Sequence, residues 1–387
     1  MSDDKKLKRK IDKAKRRIGR FWFASIIVSV AIVCCLAWQS RLWDFRSIDE
    51  QLAAINAELA IADSENAAVY YRRFFTDPNN AAILDDLSGQ TPSAYCEPWA
   101  DIEHPELAAK LKKHRTFIQT LLDISEMQNA RFPVDIDPGA DSWQMLSDIR
   151  KAVFLLSWAG ANDLAEDRAD AAHSNYRCQM QLARHFSQQP GTYHKVLGIA
   201  FEATVYRNIR MAMMRDDITQ ERLKSLESIF EIPMDRGEGH GEIAARIDRL
   251  FDEKERSKMS TVELLKQLWF GHKTRKQQEQ ARHKSRLRLS SIRRATPILI
   301  ALRRHKEQIG VWPETLEQIK PKLPEQMLID PQNNGPFVYK RDGDDFVFYS
   351  KGPNNIDEGG SQSGSADDWP IWPLNLRITK QENANDK

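Results

Sequence analysis

Residues 21–40, FWFASIIVSVAIVCCLAWQS, carry no charged side chain between Arg20 and Arg41. Few folds accommodate such a stretch. At a rise of about 1.5 Å per residue it makes a helix of about 30 Å, the thickness of a bilayer's hydrocarbon core. Phe21, Trp22, Trp38 and Trp43 lie where aromatic rings settle at a membrane interface. Residues 1–20 hold ten Lys/Arg against three Asp. Such a basic cluster stays in the cytoplasm. The expected layout is therefore a basic cytoplasmic tail (1–20), one transmembrane anchor (21–40) in the inner (cytoplasmic) membrane, and an extracytoplasmic or periplasmic bulk. Three rivals fit less well. A cleaved signal peptide wants a shorter apolar core and an A-x-A-like site, which Cys35-Leu36-Ala37 approximates poorly. A lipoprotein signal wants a small residue before the lipidated Cys, but Val33 precedes Cys34. A buried soluble helix does not match ten basic residues on one flank.

The formal net charge of +2 hides this asymmetry, because the rest of the chain carries 47 Lys/Arg against 52 Asp/Glu. That balance argues against a dedicated nucleic-acid binder, so no nucleic-acid partner is expected. Cys34 and Cys35 fall in the anchor. Cys96 and Cys178 lie outside it, and their separation fits either one disulfide in an oxidising compartment or two buried thiols.

Residues 41–290 read as a helical domain. Ile48, Leu52, Ile55 and Leu59 form one apolar stripe. Ser64 reads as an N-cap for a helix carrying ENAAVYYRRFF, which stops at Asp77-Pro78. Residues 77–104 read as a looser, turn-rich region, and Pro105 opens the next helix. Antiparallel helices are expected over 142–159, 162–187, 192–215 and 218–229, broken at Gly160, Asn162, Pro190-Gly191 and Asp216-Asp217. The pattern is repeat-like without a strict period. A linker is expected near 235–242. Residues 272–306 are strongly basic. They read as a solvated helical face, or as a contact for envelope proteins or anionic polymers.

The last part changes character. PILIALRRHKEQIG is an amphipathic helix with Gly310 as its C-cap. WPETLEQIKPKLP reads as a short helix. The stretch from Met327 to Gly352 reads as turn, strand, turn, strand, with Asn334-Gly335 and Asp342-Gly343 as turn signals. The fold class expected is mainly α, with a small C-terminal α+β domain (291–373), a short antiparallel sheet and a disordered tail (374–387).

This region resembles the C-terminal domain of the G-type pseudopilin of type II secretion systems. The shared order is Gly310-Val311-Trp312-Pro313, then Asp330-Pro331, Gly335-Pro336 and Tyr339, then Tyr349-Ser350, Gly352, Gly359-Gly360, Ala366-Asp367 and Trp369. It covers about residues 292–372. The resemblance implies a structural calcium ion held in the last loop by Asp side chains and backbone carbonyls. Asp367 matches the second family Asp. The first falls at Asn354 or Asn355, a departure that Asp357 or Glu358 is placed to offset. A larger departure lies at the N-terminus. A prepilin-peptidase site needs Gly and then Glu at the fifth position, but Gly19 is followed by Arg20 and by Ala24 at that place. The chain is therefore not expected to be a pilus subunit. The whole chain also resembles a group of membrane-anchored planctomycete proteins, through Glu65-Asn66-Ala67-Ala68, Tyr70 and Tyr71. That likeness implies architecture and no activity.

No catalytic or nucleotide-binding motif is present: no HExxH, GxSxG, Walker A or GxGxxG. His240, in GEGHGE with Glu238 and Glu242, reads as an exposed linker residue. The loop 354–368 has its own physical case. Calcium takes oxygens from carboxylates, amides and backbone, and Asn354, Asn355, Asp357, Glu358, Asp367 and Asp368 offer them. An ion-free Asn/Gly/Asp surface loop would have the same composition. Two functions are carried forward. One is a non-enzymatic membrane-anchored binding or scaffolding protein with a calcium-stiffened C-terminal domain. The other is a cell-envelope hydrolase with a site in the helical domain.

Overall fold

The computed structural model describes residues 46–88, 97–136, 139–232, 234, 241–258, 261–362 and 366–373. The anchor (21–40), the basic tail, the disordered tail, Cys96 and His240 lie outside the described residues. No helix among the described residues is long and apolar enough to cross a membrane.

The chain is mainly helical, with one small antiparallel sheet. Residues up to Ala54 and residues from Ile55 onwards form two units. Helix α1 (Ile48–Leu59) begins in the first. Its start is a capping box: the Ser47 amide and hydroxyl donate to the Glu50 carboxylate, and the Glu50 amide donates back to Ser47 Oγ.

The second unit holds α2 (Ala67–Thr76), α3 (Pro78–Ser88), α4 (Pro105–Lys113), α5 (Arg115–Ser125), α6 (Ala140–Ala165), α7 (Ala169–Ser187), α8 (Thr192–Met213), α9 (Gln220–Ser228), α10 (Gly241–Ser257) and α11 (Thr261–Ile309). The ENAA stretch explains itself here. Asn66 caps α2 by accepting from the Ala68 amide at 3.1 Å and the Arg131 amide at 2.8 Å. Ala67, Ala68 and Tyr71 are buried behind it. Tyr71 meets His185, whose Nε2 lies 2.8 Å from the Met127 carbonyl. A carbonyl only accepts, so Nε2 carries the proton and Nδ1 accepts from the Tyr71 hydroxyl at 3.1 Å. Burial drives the His185 pKa down to about 4, which keeps the ring neutral.

Several expectations change. The N-cap expected at Ser64 is Asn66 instead, because Ser64 lies within a 3-10 turn (Asp63–Glu65). Residues 78–88 are helical rather than loose, because Pro78 starts α3 and the Asp77 carboxylate caps the Asn79 amide at 2.9 Å. Helix α6 also runs straight through Gly160 and Asn162 to Ala165. Gly160 is a close-contact glycine: a Cβ there would overlap the Tyr176 ring of α7. The turn falls instead at Asp167, in the left-handed region with φ 60°. The buried set of Ser157, Gln179 and Asn208 then locks α6, α7 and α8 together.

The hydrophobic interior forms two clusters. One joins α2 to α7 around Tyr71, Phe117 and Phe186. The other joins α7 to α9 with the second half of α11 and the sheet, around Tyr206, Ile298, Phe346 and Ile371. Strand β1 (Val338–Asp342) pairs with β2 (Asp345–Ser350), and β2 with β3 (Trp369–Trp372), in the order β1-β2-β3. Gly343, at φ 59°, makes the tight hairpin turn. Gly310, at φ 88°, ends α11. Residues 316–322 form 3-10 turns rather than the expected short helix, since Pro321 lacks the amide that a continuing helix needs. The Trp312-Pro313 pair is anchored to the hairpin: Trp312 Nε1 donates to the Asp344 carbonyl at 2.9 Å, and the Tyr339 hydroxyl to the Pro313 carbonyl at 2.6 Å.

Candidate functional site

The loop between β2 and β3 is built on a buried carboxylate. Asp330 has no exposed surface and accepts from the Ser291 hydroxyl of α11 at 2.5 Å, the Gln332 amide at 3.0 Å and Asn333 Nδ2 at 3.1 Å. The Ser350 hydroxyl, at the end of β2, donates to its other side. Ser350 Oγ in turn accepts from the Gly352 amide, and Asn333 Nδ2 reaches the Gly352 carbonyl at 2.9 Å. The turn at Gly352, with φ 65°, is thereby fixed against Asp367. A Cβ on Gly352 would overlap both the Asp367 carboxylate and its carbonyl oxygen.

Of the oxygen donors expected in this loop, Asn354, Asn355, Asp357 and Asp367 part company. Asp357 is engaged by the hairpin and by its own loop. It accepts from the Tyr349 hydroxyl at 2.6 Å and the Gly359 amide at 3.0 Å, with Lys340 Nζ at 3.2 Å. The Tyr349 hydrogen bond is the main cause that holds its carboxyl below the usual range. Asn354 is spent locally, accepting from the Ile356 amide and donating to Glu358 Oε1, each at 2.7 Å. Asn355 sits exposed in the left-handed region at φ 58°. Asp367 is different: its Oδ1 is buried and accepts no hydrogen bond among the described residues.

Asp368, next in sequence, is the more informative residue. Its side chain is wholly buried. Oδ2 accepts from the Gly360 amide at 2.7 Å and the Glu358 amide at 3.0 Å, while Oδ1 has no partner among the described residues. Burial, reinforced by the Glu358 carboxylate and opposed by the Gly360 amide, raises its pKa to about 6. Asp367 and Asp368 thus each leave one buried carboxylate oxygen without a donor among the described residues, and an oxygen of that kind suits a hard cation. Among the described residues no three His, Cys, Asp or Glu side chains converge as a ready-made metal cage. Further ligands would therefore be carbonyl or amide oxygens. The sequence put Asp357 or Glu358 forward to offset the missing Asp and offered Asp368 only as one of six oxygen donors. Only the strand register shows that Asp368 directly precedes β3 and turns inward.

A second site lies in the helical domain. A cleft of about 1280 Å³ opens between the α4–α5 hairpin, the end of α6, the start of α7 and α9. Its floor is a polar chain. Asn162 Nδ2 donates to Asp101 Oδ1 at 2.8 Å, Arg168 donates to Asn162 Oδ1 at 2.6 Å and to Asp163 at 2.7 Å, and Asn175 Nδ2 donates to Asp163 Oδ2 at 2.9 Å. Burial raises the Asp163 pKa against the pull of Arg168. Asn175 Oδ1 is buried without a donor among the described residues. Lys112 and Arg115, on the α4–α5 wall, are exposed. Among the described residues, no Cys and no His lines the cleft.

Cys178, on α7, is buried, with Sγ 3.7 Å from the Leu121 carbonyl, and burial pushes its thiol up to about 12. Cys96, its partner in the disulfide alternative, lies outside the described residues.

The basic run 272–306 is largely internal at its C-terminal end. Arg288 stacks over Trp369 at 3.9 Å, Arg293 pairs with Glu202, and Arg294 donates to the Ile329 carbonyl at 2.9 Å. Arg303 pairs with Glu307 at 2.7 Å, Arg304 with Glu227 at 2.7 Å, and Lys306 lies over Trp312.

No family model, no curated protein and no solved structure matches the chain.

Proposed function

We propose that the chain is a membrane-anchored extracytoplasmic binding or scaffolding protein. Its helical domain holds a polar partner in the cleft beside α7, and its small C-terminal sheet is braced by calcium. The observation that carries this reading is the cleft floor. Asp163, Arg168, Asn162 and Asn175 present a pre-organised set of donors and acceptors, with Asn175 Oδ1 still unmatched. In the sheet, Asp367 and Asp368 supply the carboxylate oxygens that calcium favours, with loop carbonyls to complete the shell. Nothing in this reading makes the chain a pilus subunit.

The cleft is tested by placing a photo-crosslinking side chain at Ser174, inside it, and at Thr120, outside it, in the full chain in its native membrane. A discrete adduct from position 174 that position 120 does not form is expected. Equal labelling from both positions removes the binding reading.

The second reading, a cell-envelope hydrolase, is favoured by one observation: Asp163 is a buried carboxyl with a raised pKa in a cleft. Against it, both Asp163 oxygens are already engaged. A hydrolase would turn over its crosslinked partner and lose that turnover in Asp163→Asn, whereas a binding protein returns the partner unchanged.

A further inference from the structure

The charges that line the cleft beside α7 fall into two groups. One group is engaged within the fold. Arg168 is held by Asp163 and Asn162, Asp101 accepts from Asn162, and Arg222 pairs with Asp167. In the other group, Lys112, Arg115, Asp170 and Glu221 enter no side-chain hydrogen bond or ion pair among the described residues. These four are sorted by wall. Both cations stand on the α4–α5 hairpin, and both anions stand on the α7 and α9 side. All four are exposed. Burial raises the Asp163 pKa, and Arg115 joins Arg168 in opposing it, so Arg115 lies within electrostatic reach of the cleft floor. The α4–α5 wall also contributes Ala108, Leu111, Ile118 and Leu122. The floor keeps one acceptor, Asn175 Oδ1, buried without a donor among the described residues.

We propose that the cleft holds a short peptide in one orientation, its carboxylate end toward Lys112 and Arg115 and its ammonium end toward Asp170 and Glu221. The inference rests on the reading of the cleft as a binding site and adds the class of its occupant. Charge complementarity selects a zwitterion. A polyanion would meet Asp170 and Glu221, a polycation would meet Lys112 and Arg115, and each would lose to like charges what it gained from opposite ones. The floor selects an amide chain, because a backbone N–H is the donor that Asn175 Oδ1 lacks. Apolar side chains between the two ends match the α4–α5 wall. Small-ligand pockets usually measure about 300–1,000 Å³. At about 1280 Å³ the cleft is larger, so it suits several residues rather than one amino acid.

The probe is the tetrapeptide Ala-Leu-Leu-Ala, offered free, N-acetylated, C-amidated and blocked at both ends to the full chain in lipid nanodiscs. Dissociation constants come from ligand-observed NMR, with empty nanodiscs subtracted. Each single block should weaken binding by about 5-fold. In Lys112→Gln/Arg115→Gln the penalty for C-amidation should vanish while that for N-acetylation stays. In Asp170→Asn/Glu221→Gln the reverse is expected. All four side chains are exposed, so the variants should fold as the wild type does. A zwitterion of similar length without amides, 12-aminododecanoate, should bind about 5-fold more weakly than the free peptide. Equal affinity of the four peptides, penalties that do not follow the variants, or no binding at all overturns the proposal. Equal affinity for 12-aminododecanoate overturns the choice of a peptide. If the discrete adduct from position 174 persists through any of these failures, the cleft remains a binding site and only this occupant is withdrawn. If the adduct is absent too, the binding reading falls with it.

Discussion

Arg210 of α8 donates from Nη1 to the carbonyl of Ile371 in β3 at 2.9 Å, across 161 residues of chain. The guanidinium is almost fully buried, and its Nε also reaches the Tyr206 carbonyl at 3.1 Å. One side chain thus pins the last strand to the middle of the helical bundle. Arg210→Ala would leave the Ile371 carbonyl buried without that donor. A loss of about 2–3 kcal/mol in urea unfolding is expected. Arg207→Ala, one residue class on the exposed side of the same helix, should stay within about 0.5 kcal/mol.

Glu202 and Arg293 tie α8 to α11, and Glu202 is 1% exposed. Burial raises the Glu202 pKa, while Arg293 pulls it back. Removing only the cation strands a buried carboxylate, so Arg293→Ala should cost about 3–5 kcal/mol near neutral pH. A carboxyl whose folded pKa is raised takes up a proton more readily in the folded state, so the loss should shrink as pH falls. Replacing both partners together, Glu202→Leu with Arg293→Met, should cost much less than Arg293→Ala. Equilibrium unfolding of the wild type, Glu202→Leu, Arg293→Met and the double variant gives the coupling directly.

Calcium makes a third prediction. Calcium present at 100 times its dissociation constant stabilises the folded state by about 2.7 kcal/mol. Calorimetry with calcium and with chelator should show that rise in transition temperature. Asp368→Asn, which keeps an acceptor for the Gly360 amide, should abolish it. Asp357→Asn should leave the calcium response in place, because that carboxylate serves Tyr349 and Lys340. Identical transitions with and without calcium in the wild type exclude the site.

Asp368 makes its own contribution to the pH dependence in chelator. Its folded pKa, about 6, lies above its ordinary value of 3.8. Between those values the folded state binds the extra proton, so this group's contribution to stability falls as pH rises from about 4 to about 6. The transition temperature of the wild type minus that of Asp368→Asn should therefore decrease across that window. A flat difference removes the buried, unmatched carboxylate from the account.

Gly160 supplies the last prediction. On helix propensity alone, Gly160→Ala should stabilise by about 1 kcal/mol. The new Cβ would overlap the Tyr176 ring, and overpacking of that kind costs about 1–3 kcal/mol. A net loss is expected in thermal unfolding. Gly241→Ala, with open space around it, should show none.

The contrast between Gly160 and Gly310 shows how much of this fold is legible in the chain. Both glycines read as punctuation. Gly310 is punctuation, because a left-handed C-cap is a local backbone requirement. Gly160 is not, because what demands it is a ring on the next helix. The hairpin turn at Asp342-Gly343 and the apolar periodicity of the long helices are likewise local and readable in the chain, whereas the cap expected at Ser64 falls at Asn66, which also holds the Arg131 amide. The loop 354–368 was legible only in composition. Asn354, Asn355, Asp357, Asp367 and Asp368 are interchangeable as oxygen donors on paper. Which of them turns inward depends on Tyr349 and Lys340 claiming Asp357, and on β3 pairing with β2 so that Asp368 is buried.

The sequence by itself determined the classes of element: a charge-free span, amphipathic helices, and a terminal hairpin marked by Gly and Asn. Their causes are side-chain chemistry and backbone sterics within a few residues. Tertiary structure alone decided how the charges are used. Arg210, Arg293 and Arg303 look like the other basic residues around them, yet the distant carbonyls and carboxylates they meet in the folded chain make them internal ties. Lys284 and Arg286, with the same charge on the same helix, are left facing water. A charge's role depends on what lies within a few ångströms of it, and that neighbourhood exists only once the chain has folded.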